Sequence, residues 1–225
     1  MPSIADNIHS FEEKLAGTGA RLVAVTKTHP VPLLREAYAA GSRLFGENRA
    51  QEMADKAPQL PPDVEWHLIG HLQTNKVKYI APFVHTVQSV DSLRLLQELD
   101  RQAARYGRTI QGLLQFHIAR EEAKTGLSFV EAEALLTSAE FGALQNVRLT
   151  GVMGIATNVA DEAQIRQEFG QLRGYFDALK AAHFAANDSF REISMGMSGD
   201  YALALTEGST LIRVGSAIFG NRGQL

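Results

Sequence analysis

Eight β-rich segments alternate with amphipathic helical segments along this chain, and that alternation predicts an α/β protein built from parallel βα units. Eight such units favour closure into a (β/α)8 TIM barrel over an open sheet. The length of 225 residues and the hydrophobic content of 45% suit one packed core. We therefore predict a single TIM-barrel domain over 1–225, with an extra helix before the first strand.

The predicted strands are short apolar or β-branched runs bounded by turn residues. In chain order they cover 21–27, 43–47, 65–70, 86–89, 110–118, 147–156, 191–195 and 211–215. The extra helix covers 3–15, and we expect it to pack against the barrel. The proline-rich segment 58–62 is predicted to be a rigid loop rather than a linker, because regular patterns resume on both sides.

The segments between strands carry apolar residues at the spacing of one-sided surface helices. The two clearest sets are Leu93, Leu96, Leu99 and Ala103, and Ile165, Phe169, Leu172, Phe176 and Leu179. Asp91 or Ser92 can cap the first of these helices, and Gly107 stands where a left-handed stop residue belongs. The pattern thus predicts a helix between the fourth and fifth strands.

Composition narrows the classes of function. The net charge is −3 and the basic residues are scattered, so we expect no nucleic-acid partner. The chain has no cysteine, which excludes disulfides and thiolate metal sites and fits a reducing compartment. No secretion signal and no apolar run of membrane-spanning length is visible. These features predict a cytoplasmic protein that acts on a small ligand and not on a membrane.

Lys27 ends the first predicted strand, where a parallel barrel presents side chains at its mouth. Strand residues two apart face the same way, so Lys27 shares a side with Val25, and Arg213 shares one with Leu211. Because the first and last strands of a closed barrel are neighbours, we expect Lys27 near Arg213. Burial and the like charge then favour a neutral, nucleophilic amine that can condense with an aldehyde. The strand-end position by itself favours a solvated lysine.

Glycine and serine follow the last two predicted strands, at the usual phosphate position of such barrels. Ser198 and Gly199 follow the seventh strand, and Gly215 and Ser216 follow the eighth. Glycine permits close approach of the backbone, and the hydroxyls add donors. Either pair alone is equally consistent with a simple turn. A lysine together with a phosphate cradle indicates pyridoxal 5'-phosphate (PLP).

Five sequence blocks resemble the PLP homeostasis protein family, the YggS and PROSC type, and the match runs essentially end to end. The blocks are Val25-Thr26-Lys27-Thr28, Phe45-Gly46-Glu47-Asn48, Trp66-His67-Leu68-Ile69-Gly70-His71-Leu72-Gln73-Thr74-Asn75-Lys76, Ser194-Met195-Gly196-Met197-Ser198 and Ile212-Arg213-Val214-Gly215-Ser216-Ala217-Ile218-Phe219-Gly220. The resemblance implies a barrel like the N-terminal domain of alanine racemase, with PLP held as an imine on Lys27.

The resemblance also implies roles for other residues. Arg213 would face the pyridine nitrogen, and Asn48 would lie near the ring hydroxyl, unless Asn48 caps the next helix at Arg49. Four residues would contact the phosphate: Ser198, Gly199, Gly215 and Ser216. Two departures from the usual family wording are His117, where many members have asparagine, and Gly199, where an acidic residue is usual. The effect of His117 on the pocket stays open.

The function implied is intracellular PLP homeostasis by a carrier that we expect to be a monomer, with PLP and PLP-dependent apo-enzymes as partners. A cation beside the ring nitrogen disfavours its protonation and weakens the electron sink. From the chain's end at Leu225 we also expect no second domain of the kind that supplies a racemase with its other base. The alternatives are a PLP-dependent amino-acid racemase with Lys27 as one base, and a colourless aldolase acting on a sugar phosphate.

His67 and His71 have the spacing of a metal-binding pair on a helix. On a strand, four residues span about 13 Å, which is too far for one ion to bridge. We therefore expect no metal site from this pair.

Overall fold

The computed structural model describes residues 2–120 and 125–220; residues 1, 121–124 and 221–225 of the predicted 1–225 domain lie outside that description. Eight parallel strands close a barrel in sequential order, which confirms the predicted fold class. The strands are β1 (Arg21–Val25), β2 (Leu44–Glu47), β3 (Glu65–Leu68), β4 (Thr86–Val90), β5 (Ile110–Phe116), β6 (Val147–Gly154), β7 (Glu192–Ser194) and β8 (Leu211–Val214). Closure pairs Val23 of β1 with Arg213 of β8.

Helices connect the strands and surround the barrel. They are α1 (Ile4–Leu15), α2 (Val31–Ala39), α3 (Ala50–Lys56), α4 (Val77–Ile80), α5 (Leu93–Arg105), α6 (Phe129–Thr137), α7 (Ala139–Gly142), α8 (Glu162–His183), α9 (Tyr201–Thr206) and α10 (Ser216–Phe219). Among the described residues, no helix is long and apolar enough to cross a membrane.

Helix α1 is the predicted extra element. Ser3 caps it by accepting the N–H of Asp6, and the Asp6 carboxylate accepts the N–H of Ser3 in return. One face buries Ile8, Phe11 and Leu15. With that face the helix packs against α2, β1 and α10, so it covers the barrel as expected.

The predicted helix between the fourth and fifth strands is confirmed as α5. Its cap is Ser92, whose hydroxyl accepts the N–H of Leu95, rather than Asp91. Gly107 follows the helix with a φ of 61°, a left-handed conformation that glycine adopts without strain.

The first strand ends two residues earlier than predicted. Thr26 still donates its N–H to the carbonyl of Gly46, but the chain then turns, and His29 donates back to Thr26. Thr28 lies in this turn with a φ of 67°. Lys27 is therefore a turn residue rather than a strand residue, because the chain leaves the ladder of backbone hydrogen bonds after Thr26.

The barrel interior has an apolar part and a polar part. Val23, Leu113, Met153 and Leu211 form a separate apolar cluster inside it. Buried polar side chains fill the remaining interior: His67, Gln88, Ser194 and Arg213. Hydrogen bonds link these four side chains in sequence, as is usual for polar groups buried in a core.

Candidate cofactor site

A cavity of about 390 Å³ opens at the carboxyl ends of the strands, and we call it the carboxyl-end cavity. All seven residues predicted for the site line it: Lys27, Asn48, Ser198, Gly199, Arg213, Gly215 and Ser216. Its wall also includes His29, His71, Gln115 and Thr125. Closure of the barrel accounts for this convergence, because it places β1 beside β8. The predicted proximity of the amine and the glycine-serine turns is thus what the structure shows.

The turn that carries Lys27 is anchored on both sides of that residue. The Thr26 hydroxyl donates to Glu47 Oε1 at 2.6 Å, and the Thr28 N–H donates to Glu52 Oε1 at 2.5 Å. Lys56 joins the two acids and also donates to the Thr26 carbonyl at 2.8 Å. Lys27 itself is half-buried. The anchors fix the backbone from which the Lys27 amine enters the cavity.

This anchoring network of Glu47, Glu52 and Lys56 was missed by the sequence reasoning. All three protons of the Lys56 ammonium have acceptors, so Lys56 is not a second amine available to a ligand. Glu52 and Lys56 are spaced i,i+4 on α3, a pairing that the sequence does display. The burial of Glu47 at the end of β2 is a tertiary feature that local sequence does not reveal.

Burial raises the pKa of Glu47, although hydrogen bonds from Lys56 and Thr26 act against the rise. Burial also acts to raise the pKa of Glu52, but hydrogen bonds from Lys56 and the Thr28 N–H outweigh it, and the pKa is lowered. One buried lysine thus donates hydrogen bonds to two carboxylates whose pKa values are shifted in opposite directions. Removing it would leave Glu47 as an uncompensated buried acid.

Arg213 lies on the floor of the cavity and is only 4% exposed. Its Nη1 donates to Ser194 Oγ at 2.6 Å and its Nη2 to the Gly154 carbonyl at 2.9 Å. Burial lowers the pKa of Arg213 to about 10, which leaves the guanidinium charged at neutral pH. Two hydrogen bonds therefore hold a fixed positive charge beneath the cavity.

A chain of hydrogen bonds continues from Arg213 through the barrel. Ser194 Oγ donates to Gln88 Oε1 at 2.7 Å, and Gln88 Nε2 lies 2.9 Å from His67 Nδ1. All of these side chains are buried. The chain spans the interior from the carboxyl-end cavity to the opposite end of the barrel, and it accounts for the polar part of the core.

The two glycine-serine turns, at residues 198–199 and 215–216, lie next to each other in the wall of the carboxyl-end cavity. Ser216 Oγ donates to Ser198 Oγ at 3.2 Å, so the two hydroxyls are adjacent. A Cβ at Gly215 would lie 3.1 Å from the Val25 carbonyl oxygen, so glycine allows this turn to approach β1 closely. A Cβ at Gly199 would meet nothing within 4 Å. Space therefore explains the glycine at 215 but not the one at 199.

Asn48 lines the cavity and does not cap the next helix. The cap of α3 is Arg49, which makes no side-chain capping bond. A Cβ at Gly70 would lie 2.5 Å from the Asn48 carbonyl oxygen, so Gly70 allows the Asn48 backbone to lie close to β3. Gln115, on β5, lines the cavity and donates to the Thr125 carbonyl at 2.8 Å. His117 follows β5 and is not among the described residues that line the cavity.

Comparison with known proteins agrees with the geometry. A family model described as alanine racemase, N-terminal domain, matches residues 1–223. A pyridoxal phosphate homeostasis protein of Vibrio alginolyticus is 37% identical over 236 residues, which cover 99% of each chain. The chain belongs to the pyridoxal phosphate homeostasis protein family. The resemblance inferred from the five sequence blocks is confirmed.

Solved structures extend the comparison within the family and beyond it. PipY of Synechococcus elongatus, solved with PLP bound, is 37% identical with a TM-score of 0.86, over 97% of this chain and 100% of that one. An alanine racemase from Bartonella henselae is 15% identical with a TM-score of 0.72, over 98% of this chain and 60% of that one. The latter likeness concerns the fold alone.

Proposed function

We propose that this protein binds PLP in the carboxyl-end cavity and acts in PLP homeostasis, buffering or delivering the cofactor. The observation that carries the proposal is the convergence of all seven sequence-predicted residues on one cavity. The names of its relatives and the PLP-bound PipY structure support it. The cavity volume of about 390 Å³ falls in the range of small-molecule sites.

The donors present fit the chemical groups of PLP. PLP supplies an aldehyde, which condenses with a lysine amine. We assign Lys27 to that amine, because it lines the cavity while Lys56 is fully occupied by its acceptors. We assign the adjacent hydroxyls of Ser198 and Ser216, with the turns at Gly199 and Gly215, to the phosphate. Arg213 would face the ring nitrogen from the floor, and Asn48 the ring hydroxyl from the wall.

Arg213 favours holding the cofactor over catalysis with it. The guanidinium stays charged, and a cation beside the ring nitrogen opposes the protonation that deepens the electron sink. In this proposal the chain is a monomeric cytoplasmic carrier, 1–225 is one domain, and the receiving partners are PLP-dependent apo-enzymes. Size-exclusion chromatography and transfer of PLP from the loaded protein to an apo-enzyme test these points.

The family model's name gives the racemase alternative its support. The decisive assay incubates the PLP-loaded protein with L-alanine and follows the D-isomer by chiral chromatography. We expect no steady production of D-alanine. Sustained turnover that Lys27→Ala removes would replace the carrier assignment with the racemase one.

Ser216→Ala is predicted to weaken PLP binding about fivefold, which corresponds to about 1 kcal/mol for one lost hydrogen bond. The hydroxyl is exposed at the cavity mouth, so the fold does not depend on it. Equilibrium dialysis with PLP measures the change. Ser10→Ala, on α1 and away from the cavity, is the matched control and should bind PLP as the parent does. Equal affinities of Ser216→Ala and the parent would mean that the phosphate contacts come from the backbone.

A further inference from the structure

A second cavity of about 440 Å³ lies at the opposite end of the barrel, where the strands begin. We call it the amino-end cavity. Glu65 and His67 enter it from β3, and His85 enters from the residue before β4. None of these residues takes part in the proposed PLP site, so the amino-end cavity is separate from it.

Three potential metal ligands converge there. Glu65, His67 and His85 each place one ligand atom so that all three atoms lie within 4.8 Å of one another. Glu65 Oε2 is 3.8 Å from His85 Nδ1. The two imidazole rings are 5.8 Å apart between centroids. Two imidazoles on one zinc ion, with Zn–N bonds of about 2.0–2.1 Å, have centroids about 5 to 6 Å apart.

Unpartnered polar atoms at this cluster are a second indication of a ligand site. His67 is 2% exposed, and its Nε2 has no hydrogen-bond partner among the described residues. The Thr150 hydroxyl, in the wall of the same cavity, is likewise buried without a partner in that part of the chain. Burying such groups unpaired is costly, so an orphaned ring nitrogen at a cavity is an unusual arrangement in a core.

We propose that Glu65, His67 and His85 bind a divalent first-row transition-metal ion of the zinc type at the amino end of the barrel. Two imidazoles and one carboxylate favour zinc and its neighbours over Mg²⁺ or Ca²⁺, which prefer all-oxygen sites. Three protein ligands leave a coordination position open to the cavity, in whose wall Thr150 also lies. The site is thus of the open kind, which exchanges water or a small ligand.

Gln88 can orient the His67 ring for metal binding through a hydrogen bond to its other nitrogen. A ligand at His67 Nε2 requires the proton on Nδ1, and Nδ1 is the atom that faces the Gln88 amide at 2.9 Å. Turning the amide over places its oxygen against Nδ1, from which it accepts, and its nitrogen against Ser194 Oγ, which then accepts from the amide instead of donating to it. Metal-bound histidines commonly donate their other N–H to such an acceptor.

His67 and His71, the pair considered in the sequence, lie at opposite ends of the barrel. His71 lies beyond the end of β3, and its Nδ1 pairs with Asp91 at the carboxyl end. The residues grouped with His67 are Glu65, two residues earlier on its own strand, and His85, the residue before β4. Pairing across strands places them together, which one-dimensional spacing does not express.

The test uses the PLP-loaded protein, dialysed free of metals, and titrates it with Zn²⁺ by calorimetry and with Co²⁺ by visible absorption. We expect one ion per chain and a Co²⁺ spectrum typical of mixed nitrogen and oxygen ligands. Glu65→Gln and His85→Gln should each weaken binding at least about tenfold. Both residues are partly exposed, so these variants keep the fold even if the deeply buried His67→Gln does not.

His9→Gln, an exposed histidine on α1, is the matched control and should bind Zn²⁺ with unchanged affinity. Absence of stoichiometric binding would overturn the proposal. So would binding that survives Glu65→Gln and His85→Gln, since the ion would then lie elsewhere, as at His71 and Asp91. Nitrogen NMR gives a third criterion: a proton that stays on His67 Nε2 in saturating Zn²⁺ excludes this atom as a ligand.

Discussion

Lys27→Ala is expected to abolish covalent attachment of PLP and to leave the barrel folded. The side chain is half-buried in a turn, and the bonds that anchor this turn are made by the neighbouring residues Thr26 and Thr28. Among the described residues that line the cavity, Lys27 is the only lysine. Lys56, which supports the same turn, is outside the wall, and its amine is occupied by three acceptors. The visible absorption of bound PLP should therefore disappear while circular dichroism stays unchanged.

Borohydride reduction followed by mass analysis of peptides locates the attachment directly. In the parent protein the PLP-derived mass should lie on the peptide that contains Lys27, and in Lys27→Ala on none. Lys78→Ala, at an exposed lysine of α4, is the control and should retain the label. A labelled peptide elsewhere in the parent protein would contradict the assignment of Lys27 and with it the proposed function.

Lys56→Met is expected to destabilise the protein by about 3–5 kcal/mol, the usual cost of removing one partner of a buried ion pair. The lysine bonds Glu47 at 2.7 Å and Glu52 at 2.6 Å, and Glu47 has no exposed side-chain surface. Its loss leaves a buried carboxylate without compensation and releases the Thr26 carbonyl. Urea denaturation measures the free energy of unfolding of the parent and the variant.

The destabilisation by Lys56→Met should depend on pH. Loss of the lysine raises the already elevated pKa of Glu47 further, so the folded variant binds a proton above the pH at which the unfolded chain releases it. Stability of the variant then falls as pH rises from the unfolded value of 4.5 through the folded one. The lowered pKa of Glu52 contributes stability to the parent above 4.5 that is lost on acidification. Both effects make the difference between the two proteins shrink toward acid pH.

Arg101→Met is the matched control, because it breaks an exposed ion pair with Glu98 on α5. Such pairs contribute about 0–1 kcal/mol, so the variant should unfold nearly as the parent does. If Lys56→Met were equally mild and independent of pH, the anchoring network would not stabilise the turn that carries Lys27.

Strong local patterns explain which parts of the fold could be predicted. The alternation of strands and helices, the apolar face of α5 and the glycine after it were all readable from neighbours in sequence. The end of β1 was not, because the turn at Thr26 and Thr28 depends on carboxylates from β2 and α3. The role of Asn48 was ambiguous for the same reason. The sequence cannot distinguish a residue that caps α3 from one that lines the cavity, because the two differ only in the direction of the side chain.

The sequence by itself determined the barrel, the extra helix and the group of residues that surround the carboxyl-end cavity. Their contacts with a cofactor remain a prediction. These features were visible because periodicity and turn chemistry are local, and because the family's motifs are distinctive. Only the tertiary structure decided that Lys56 supports the Lys27 turn, that Arg213 begins a buried chain to His67, and that His67 meets Glu65 and His85. Each of these depends on residues from different elements of the fold, which only closure of the barrel brings together.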